Sequence, residues 1–146
     1  MIPKERLGQM DKMSKESRSN VMKSIKSVSQ LENLVASALW NRGYRFRRNT
    51  KSLFGKPDLS IKKYKVVIFI DSCFWHFCPV HGKIPKSNTD YWNAKYIKNK
   101  TRDEEVNTFY KENNWNILRV WEHEFKEDFD FAIDTIANFI EQSKRK

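Results

Sequence analysis

One short segment constrains the fold of this chain more than any other. Residues 66–70, read as VVIFI, form a continuous run of apolar and mostly β-branched side chains. Such a run is typical of a strand that is buried on both faces, and each face of that strand needs a covering layer. Helical patterns on both sides of it in the sequence can supply these layers. We therefore predict an α/β fold with a mixed central β-sheet flanked by helices.

Hydrophobic periodicity predicts the remaining elements, in the order helix, three strands, helix, strand, helix. The first helix is predicted to begin at Ser29, because Ser29 and Glu32 have the spacing of a capping box, and to end at Gly43. The predicted strands cover residues 44–47, 58–61, 65–70 and 115–121. The later helices are predicted over residues 88–113 and from Phe129 to Ile140.

Length and charge indicate a single domain that binds a polyanion. The chain has 146 residues, of which 28 are Lys or Arg and 18 are Asp or Glu, a formal net charge of +10. Such a balance favours nucleic acid as the partner, ahead of an anionic membrane. We predict a basic N-terminal arm over residues 1–28 and one domain over residues 29–146. Without a long apolar run or a secretory signal at its start, the chain is expected to be cytoplasmic and not membrane-bound.

Two carboxylates are predicted to meet at one end of a hairpin. If residues 58–61 and 65–70 pair around a turn near Lys63 and Tyr64, Asp58 lies opposite Ile70 or Asp71. Carboxylate and carbonyl oxygens are the ligands that Mg²⁺ prefers, although Asp is also common at strand ends as a turn residue. The Pro57-Asp58 pair resembles the PD-(D/E)xK nuclease superfamily, and this chain has Cys73 where that pattern has Lys.

A dense group of potential zinc ligands follows the central strand. Residues 73–81, CFWHFCPVH, hold both cysteines and two of the three histidines of the chain. Zinc needs four such ligands. A local set would be Cys73, His76, Cys78 and His81; a long-range set replaces His76 by His123. The residues alone leave both sets open, along with two buried thiols that bind no metal.

The sequence resembles the very-short-patch repair (Vsr) endonucleases over roughly residues 14–125. The resemblance lies in GKPD at 55–58, VIFIDSCFWH at 67–76, the stretch from Pro85 to Trp92, and RVWEH at 119–123. It implies a restriction-endonuclease-like core with a structural zinc. It also implies a Mg²⁺-dependent nick on the 5′ side of the T in a T·G mismatch, within the recognition site of a cytosine-5 methyltransferase. A cut in one strand needs one active site, so a monomer is expected.

The resemblance also implies roles for individual residues. Asp58 and the backbone carbonyl of Ile70 would bind Mg²⁺, and His76 would be the general base that activates water. With His76 so assigned, the zinc ligands would be Cys73, Cys78, His81 and His123.

Three further acids have implied roles. Glu32 and Asp103 match acids that orient metal-bound waters, although Glu32 could serve only the capping box and Asp103 could be only a solvated charge. Asp71 takes the place of a family His, and Ser72 that of a Gly; Asp71 remains a candidate catalytic residue.

Aromatic side chains match those that wedge into DNA beside the mismatch in this family. They are Phe74, Trp75 and Trp92, with Met22 and Ile25 expected to approach from the other groove. A mispair stacks poorly, so insertion there costs less than in matched DNA. Core packing is the alternative interpretation for all five.

Two other functions are compatible with the same sequence features. A zinc-stabilised DNA-binding module without catalysis would share the charge and the aromatic content. A restriction-type nuclease that cuts matched DNA would share the acids.

Overall fold

The computed structural model describes residues 15–76, 78 and 88–146, although among the side chains of residues 15–27 it describes only that of Ser19. The elements, in chain order, are α1 (Lys15–Asn41), β1 (Arg47–Arg48), β2 (Leu59–Ile61), a 3-10 turn (Lys62–Tyr64), β3 (Val66–Asp71), α2 (Thr89–Glu112), β4 (Asn116–Trp121), α3 (Glu122–Glu127) and α4 (Phe129–Lys144). No helix in the described part of the chain is long and apolar enough to cross a membrane.

The four strands form one mixed sheet in the order β1-β2-β3-β4. Strand β2 is antiparallel to both β1 and β3, whereas β4 is parallel to β3. Helix α2 makes the long connection that two parallel neighbours require. The predicted mixed sheet is therefore confirmed.

Strand β3 is buried on both faces, as its composition predicts. Val66, Ile68 and Ile70 point into the larger core, whereas Val67 and Phe69 point into a smaller one. The larger core is closed by apolar residues of α1 and α4, namely Leu31, Val35, Leu39, Ala132, Ile133, Ile136 and Ile140. The smaller core is closed by Val106 and Tyr110 of α2. The chain is thus a small α/β domain with helices on both faces of the sheet.

The predicted start of the first helix is wrong. Helix α1 begins at Lys15 instead of Ser29, so the expected capping box lies in mid-helix and the boundary drawn at residue 28 falls inside α1. Neither Gly nor Pro occurs between residues 15 and 42, and a helix once nucleated extends through such a segment at little cost. The backbone of Met22 and Ile25 belongs to this helix, and their side chains lie outside the described part of the structure.

Smaller differences concern the first strand and the end of the chain. Strand β1 covers only Arg47–Arg48, three residues later than the predicted start, because the backbone N–H of Tyr44 donates to the carbonyl of Leu39 and keeps the chain close to the end of α1. Helix α3 was not predicted. Its six residues are too few to show a period of 3.6 in the sequence.

Candidate active site and metal centre

The loop that precedes β2 presses Asp58 against the end of β3. Gly55 has φ +76° and is packed so closely on α2 that a Cβ there would lie 2.8 Å from Cγ2 of Val106. Only glycine satisfies both conditions, the left-handed backbone and the close approach. The buried Pro57 then leads directly into Asp58 and strand β2.

Asp58 is held by the backbone of β3 and faces a carboxylate of α1. Its Oδ2 accepts a hydrogen bond of 2.7 Å from the backbone N–H of Ile70. Burial raises the pKa of Asp58 well above its usual value, and a hydrogen bond and charge repulsion from Glu32 raise it further. The Ile70 N–H acts in the opposite direction, and the nearby Asp71 adds to the rise. The two carboxylates repel each other, and a divalent cation between them would relieve that repulsion.

His76 lies between two further acids. Its Nδ1 is 2.5 Å from Oδ2 of Asp103, a hydrogen bond in which the imidazole N–H donates to the carboxylate, and its Nε2 is 3.8 Å from Oδ1 of Asp71. Asp71 ends β3 and is buried, Asp103 belongs to α2, and the turn after β3 is closed by a hydrogen bond from His76 N–H to the carbonyl of Ser72. A carboxylate on Nδ1 leaves Nε2 as the basic nitrogen.

The surroundings of His76 favour its protonated form. Burial lowers the pKa of His76, but the Asp103 hydrogen bond and the charges of Asp71 and Asp103 raise it by more, against a lowering by Arg119. Burial also raises the pKa of Asp71, whereas His76 and Arg119 lower it and Asp103 raises it. The acidic cluster is our name for these five side chains together: Glu32, Asp58, Asp71, His76 and Asp103.

One partly buried arginine lies beside the acidic cluster. Arg119 belongs to β4, where it is paired with Phe69 of β3, and its side chain is 17% exposed. Its Nη1 donates to Oδ1 of Asp71 at 2.8 Å and lies 3.7 Å from Oδ1 of Asp103.

A second group of ligands lies at the start of α3. The Sγ atoms of Cys73 and Cys78 are 3.4 Å and 3.2 Å from Nδ1 of His123. A tetrahedral zinc with Zn–S of about 2.3 Å and Zn–N of about 2.0–2.1 Å separates S and N by about 3.6 Å, so the three side chains fit zinc closely. We call Cys73, Cys78 and His123 the cysteine cluster. His81, the fourth predicted ligand, lies outside the described residues.

The backbone around the cysteine cluster is fixed by an acid of α3. The buried Glu122 accepts a 3.3 Å hydrogen bond from the backbone N–H of Cys73 through Oε1, and Oε2 is 3.0 Å from Nζ of Lys126. Burial raises the pKa of Cys73 to about 11, and Cys78 and Glu122 raise it while a backbone hydrogen bond of His123 lowers it. A bound metal would favour the thiolate that this environment disfavours.

The three described wedge candidates pack in one aromatic group. Phe74 and Trp75 are partly exposed, with ring centroids 5.1 Å apart, and Phe74 lies 5.5 Å from Trp92. Trp92 is fully buried, and its Nε1 has no hydrogen-bond partner among the residues that the structure describes. Phe74 and Trp75 are thus accessible to a ligand as the chain stands, whereas Trp92 reaches DNA only if the group opens.

Comparisons with known proteins agree with this geometry. The family model described as DNA mismatch endonuclease Vsr matches residues 10–81. A relative from Lentzea aerocolonigenes, Type II nicking enzyme V.NaeI, is 40% identical over 123 residues, which are 80% of this chain and 74% of that protein. Type II nicking enzyme V.HpaIIP of Haemophilus parainfluenzae is 43% identical over 116 residues, which are 77% and 82% of the two chains.

The chain belongs to the Vsr family. DNA mismatch endonuclease Vsr of Escherichia coli K12 is also similar, with 36% identity over 114 residues that cover 77% of this chain and 73% of that protein. The chain is therefore a DNA endonuclease with a role in DNA nicking or mismatch repair, and the interpretation as a non-catalytic DNA-binding module is set aside.

The Vsr-family site brings together most of the residues that the sequence singled out. The acidic cluster unites all five predicted catalytic residues, and His76 contacts Asp103 and Asp71 and not the cysteine cluster. The predicted pairing of Asp58 opposite Ile70 or Asp71 is off by one or two residues, because Leu59 pairs with Ile68 and this register places Asp58 opposite Phe69. The Asp58 carboxylate still reaches the backbone N–H of Ile70. The roles of these residues remain predictions.

Sequence reasoning missed two residues of this Vsr-family site. Arg119 and Glu122 both lie in the RVWEH motif that carries the resemblance, where neither was given a role. Arg119 had a detectable signal, since it is the one charged residue inside the predicted strand WNILRVW. Glu122 had none, because its contact with Cys73 joins residues far apart in sequence.

Proposed function

We propose that this chain nicks one strand of duplex DNA on the 5′ side of the T in a T·G mismatch. Mg²⁺ would be held by Asp58 and the backbone carbonyl of Ile70, and His76 would be the general base. The observation that carries the proposal is the juxtaposition of two mutually repelling carboxylates, Asp58 and Glu32, with an imidazole that keeps Nε2 as its basic nitrogen.

The chemistry follows from the donors available. When bound, Mg²⁺ would polarise the scissile phosphodiester and offset the charge that develops on its oxygens. Nε2 of His76 takes a proton from a water molecule, and the water oxygen bonds to phosphorus. The bond from phosphorus to the leaving oxygen breaks as that oxygen gains a proton from a second, surrounding water molecule. Asp103 holds the imidazole through Nδ1, and Glu32 and Asp103 orient waters around the metal.

The zinc would be structural in this proposal. Cys73, Cys78 and His123 supply three ligands with separations that suit a tetrahedral ion, and His81 would be the fourth. Such a site would tie the loop after β3 to the start of α3, which fixes the position of His76 three residues from Cys73.

Recognition of the mismatch would depend on aromatic insertion and on charge. Phe74 and Trp75 are the accessible members of the aromatic group, and Trp92 would follow if the group opens on DNA. Met22 and Ile25 would contribute from α1, and the basic residues of positions 1–28 would contact phosphates. A monomer suffices, because one strand is cut.

A nicking assay on matched pairs of duplexes tests the proposal. Duplexes that carry T·G or T·A at one position, with randomised flanking bases and a different label on each strand, are incubated with Mg²⁺, and the nicked products are sequenced. We expect cuts only in the T-containing strand, 5′ of the T, and only in the T·G pool. The sequenced flanks would also give the context that the enzyme requires.

Two outcomes would contradict the proposal in different ways. Equal cutting of T·G and T·A duplexes would indicate a nuclease for matched DNA, the second function compatible with the sequence. No cutting in any context, with Mg²⁺ or Mn²⁺, would overturn the assigned reaction. The Asp58→Asn variant is the control for a contaminating nuclease, because it removes the charged metal ligand and keeps an acceptor for the Ile70 N–H.

A further inference from the structure

Arg119 is a partly buried cation for which the proposed reaction has no role. Its guanidinium donates to Asp71 at 2.8 Å and lies 3.7 Å from Asp103. Its side chain is only 17% exposed, so the guanidinium has lost much of its hydration, and its charge and its donors need partners within the protein. These contacts connect the two acids that lie on either side of His76.

Other contacts fix the guanidinium from the remaining sides. Nε of Arg119 donates to Oδ1 of Asn107 at 2.6 Å, and the guanidinium carbon lies 4.4 Å from the ring centroid of Phe69. Asn107 lies one helical turn after Asp103 on α2, so one side chain of β4 contacts that helix at two points and the end of β3 at a third. The planar guanidinium of arginine has several N–H donors and can make these contacts at the same time, which the single ammonium of lysine does less well.

The two acids that Arg119 contacts also flank both nitrogens of the imidazole. Asp103 binds Nδ1 of His76, and Asp71 lies 3.8 Å from Nε2. Without a cation between them, the two carboxylates would repel each other, and Asp71 would be free to move onto Nε2. That nitrogen is the one that has to face the water.

We propose that Arg119 is a positioning residue for strand nicking, which holds Asp71 off Nε2 of His76 and holds Asp103 on Nδ1. The inference rests on the proposed role of His76 as the general base. Asp71, His76 and Asp103 present donor atoms within 4.8 Å of one another, and Arg119 supplies the positive charge that such a group requires.

Variants of this contact test the inference. The set is Arg119→Met, Arg119→Lys, Asp71→Asn and the double variant Asp71→Asn/Arg119→Met. Each is assayed for single-turnover nicking of a T·G duplex at saturating enzyme and, separately, for the Kd of the same duplex at several salt concentrations. Arg42→Met is the matched control, because Arg42 forms an exposed ion pair with Asp134, 2.7 Å apart.

We expect Arg119→Met to slow nicking about 10–100-fold, the order of loss for a catalytic group displaced by about 1 Å, with Kd changed by less than about threefold. Arg119→Lys should recover part of the rate, because it restores the charge beside Asp71. The double variant should nick at most about threefold more slowly than the slower of the two single variants, because both substitutions remove the same contact between Asp71 and Arg119. Arg42→Met should nick like the wild type.

Several results would overturn the inference. Nicking by Arg119→Met at the wild-type rate would overturn it. A rate loss in the double variant equal to the product of the two single-variant losses would also overturn it. A loss confined to Kd, with a weaker salt dependence, would make Arg119 a phosphate contact instead.

The test remains decisive if Arg119→Met fails to fold. Arg119→Lys keeps a cation beside Asp71, and the double variant removes the charges of both residues. The nicking rate of the double variant, compared with that of Asp71→Asn, then measures the role of Arg119. Equal rates support the inference, and a further large loss overturns it. Failure of the proposed function is distinguishable, because the wild type itself would then leave T·G duplexes uncut.

Discussion

The acidic cluster and the cysteine cluster share one short segment of chain and differ in almost every chemical property. Residues 71–78 contribute Asp71 and His76 to the first and both cysteines to the second. The acidic cluster offers mainly oxygen donors, and its histidine remains partly exposed. The cysteine cluster offers two buried sulfurs and one imidazole nitrogen.

The difference in donor atoms supports the proposal that the two clusters bind different metals. Mg²⁺ prefers oxygen ligands and keeps bound waters, whereas Zn²⁺ prefers thiolate and imidazole in a closed tetrahedron. The ring of Trp121 lies 6.4 Å from that of His76 and 6.5 Å from that of His123, so the two histidines are neighbours that serve different clusters. Under the proposed function, the acidic cluster carries the chemistry and the cysteine cluster stabilises the fold.

The largest effect is expected from Asp58→Asn. Loss of a charged Mg²⁺ ligand should reduce single-turnover nicking of a T·G duplex by at least about 10³-fold, because a metal contributes several kcal/mol to the barrier and each 1.4 kcal/mol is about tenfold. Zinc content should not change, and Tm should stay or rise, since repulsion with Glu32 is relieved. Asp134→Asn, a change at an exposed acid, is the control. Normal nicking by Asp58→Asn would remove Asp58 from the active site.

A second large effect is expected from His76→Asn. Removing a general base typically costs about 10²–10⁴-fold in rate. Duplex affinity and zinc content, measured by anisotropy and by metal analysis of the purified protein, should match the wild type. Loss of zinc would break the division between the clusters, because it would make His76 a zinc ligand, as in the local set that the sequence left open.

The fold and the candidate site were predictable from the sequence to different extents. The run at 66–70 was sufficient to predict the central strand, because a short apolar run rich in β-branched residues is typical of a strand buried on both faces. The start of α1 was not predictable in the same way, because Ser29 and Glu32 have the residue types of a capping box and also occur within helices. A local pattern cannot exclude a longer helix.

The candidate site was predictable where residues are close in sequence or matched the family. The segment CFWHFC reveals its donors by composition alone. The contacts of Arg119 with Asp71 and of Glu122 with Cys73 were not predictable, because each depends on the parallel pairing of β4 with β3. That register is set by tertiary packing and leaves no local signal in the sequence.

An intermediate effect is expected from Cys78→Ser, on stability more than on chemistry. Loss of one ligand should release zinc and lower Tm by about 5–10 °C, taking a loss of about 2–3 kcal/mol and about 2–4 °C per kcal/mol in a domain of this size. Metal analysis and thermal unfolding measure both. Wild type stripped of zinc by a chelator should melt at the temperature of the variant. An unchanged zinc content and Tm would remove the structural role of the cysteine cluster.

The smallest effect is expected from Phe74→Leu, which lies between the clusters in sequence and belongs to neither. Leucine keeps much of the apolar volume but loses the flat ring, so the ratio of T·G to T·A nicking should fall about tenfold, in line with the 1–3 kcal/mol typical of stacking on a base. Phe109→Leu, at another partly exposed aromatic, should leave the ratio unchanged. If Phe74→Leu instead slows both substrates equally and lowers Tm, Phe74 is a packing residue. Selection of the mismatch would then have to come from other side chains.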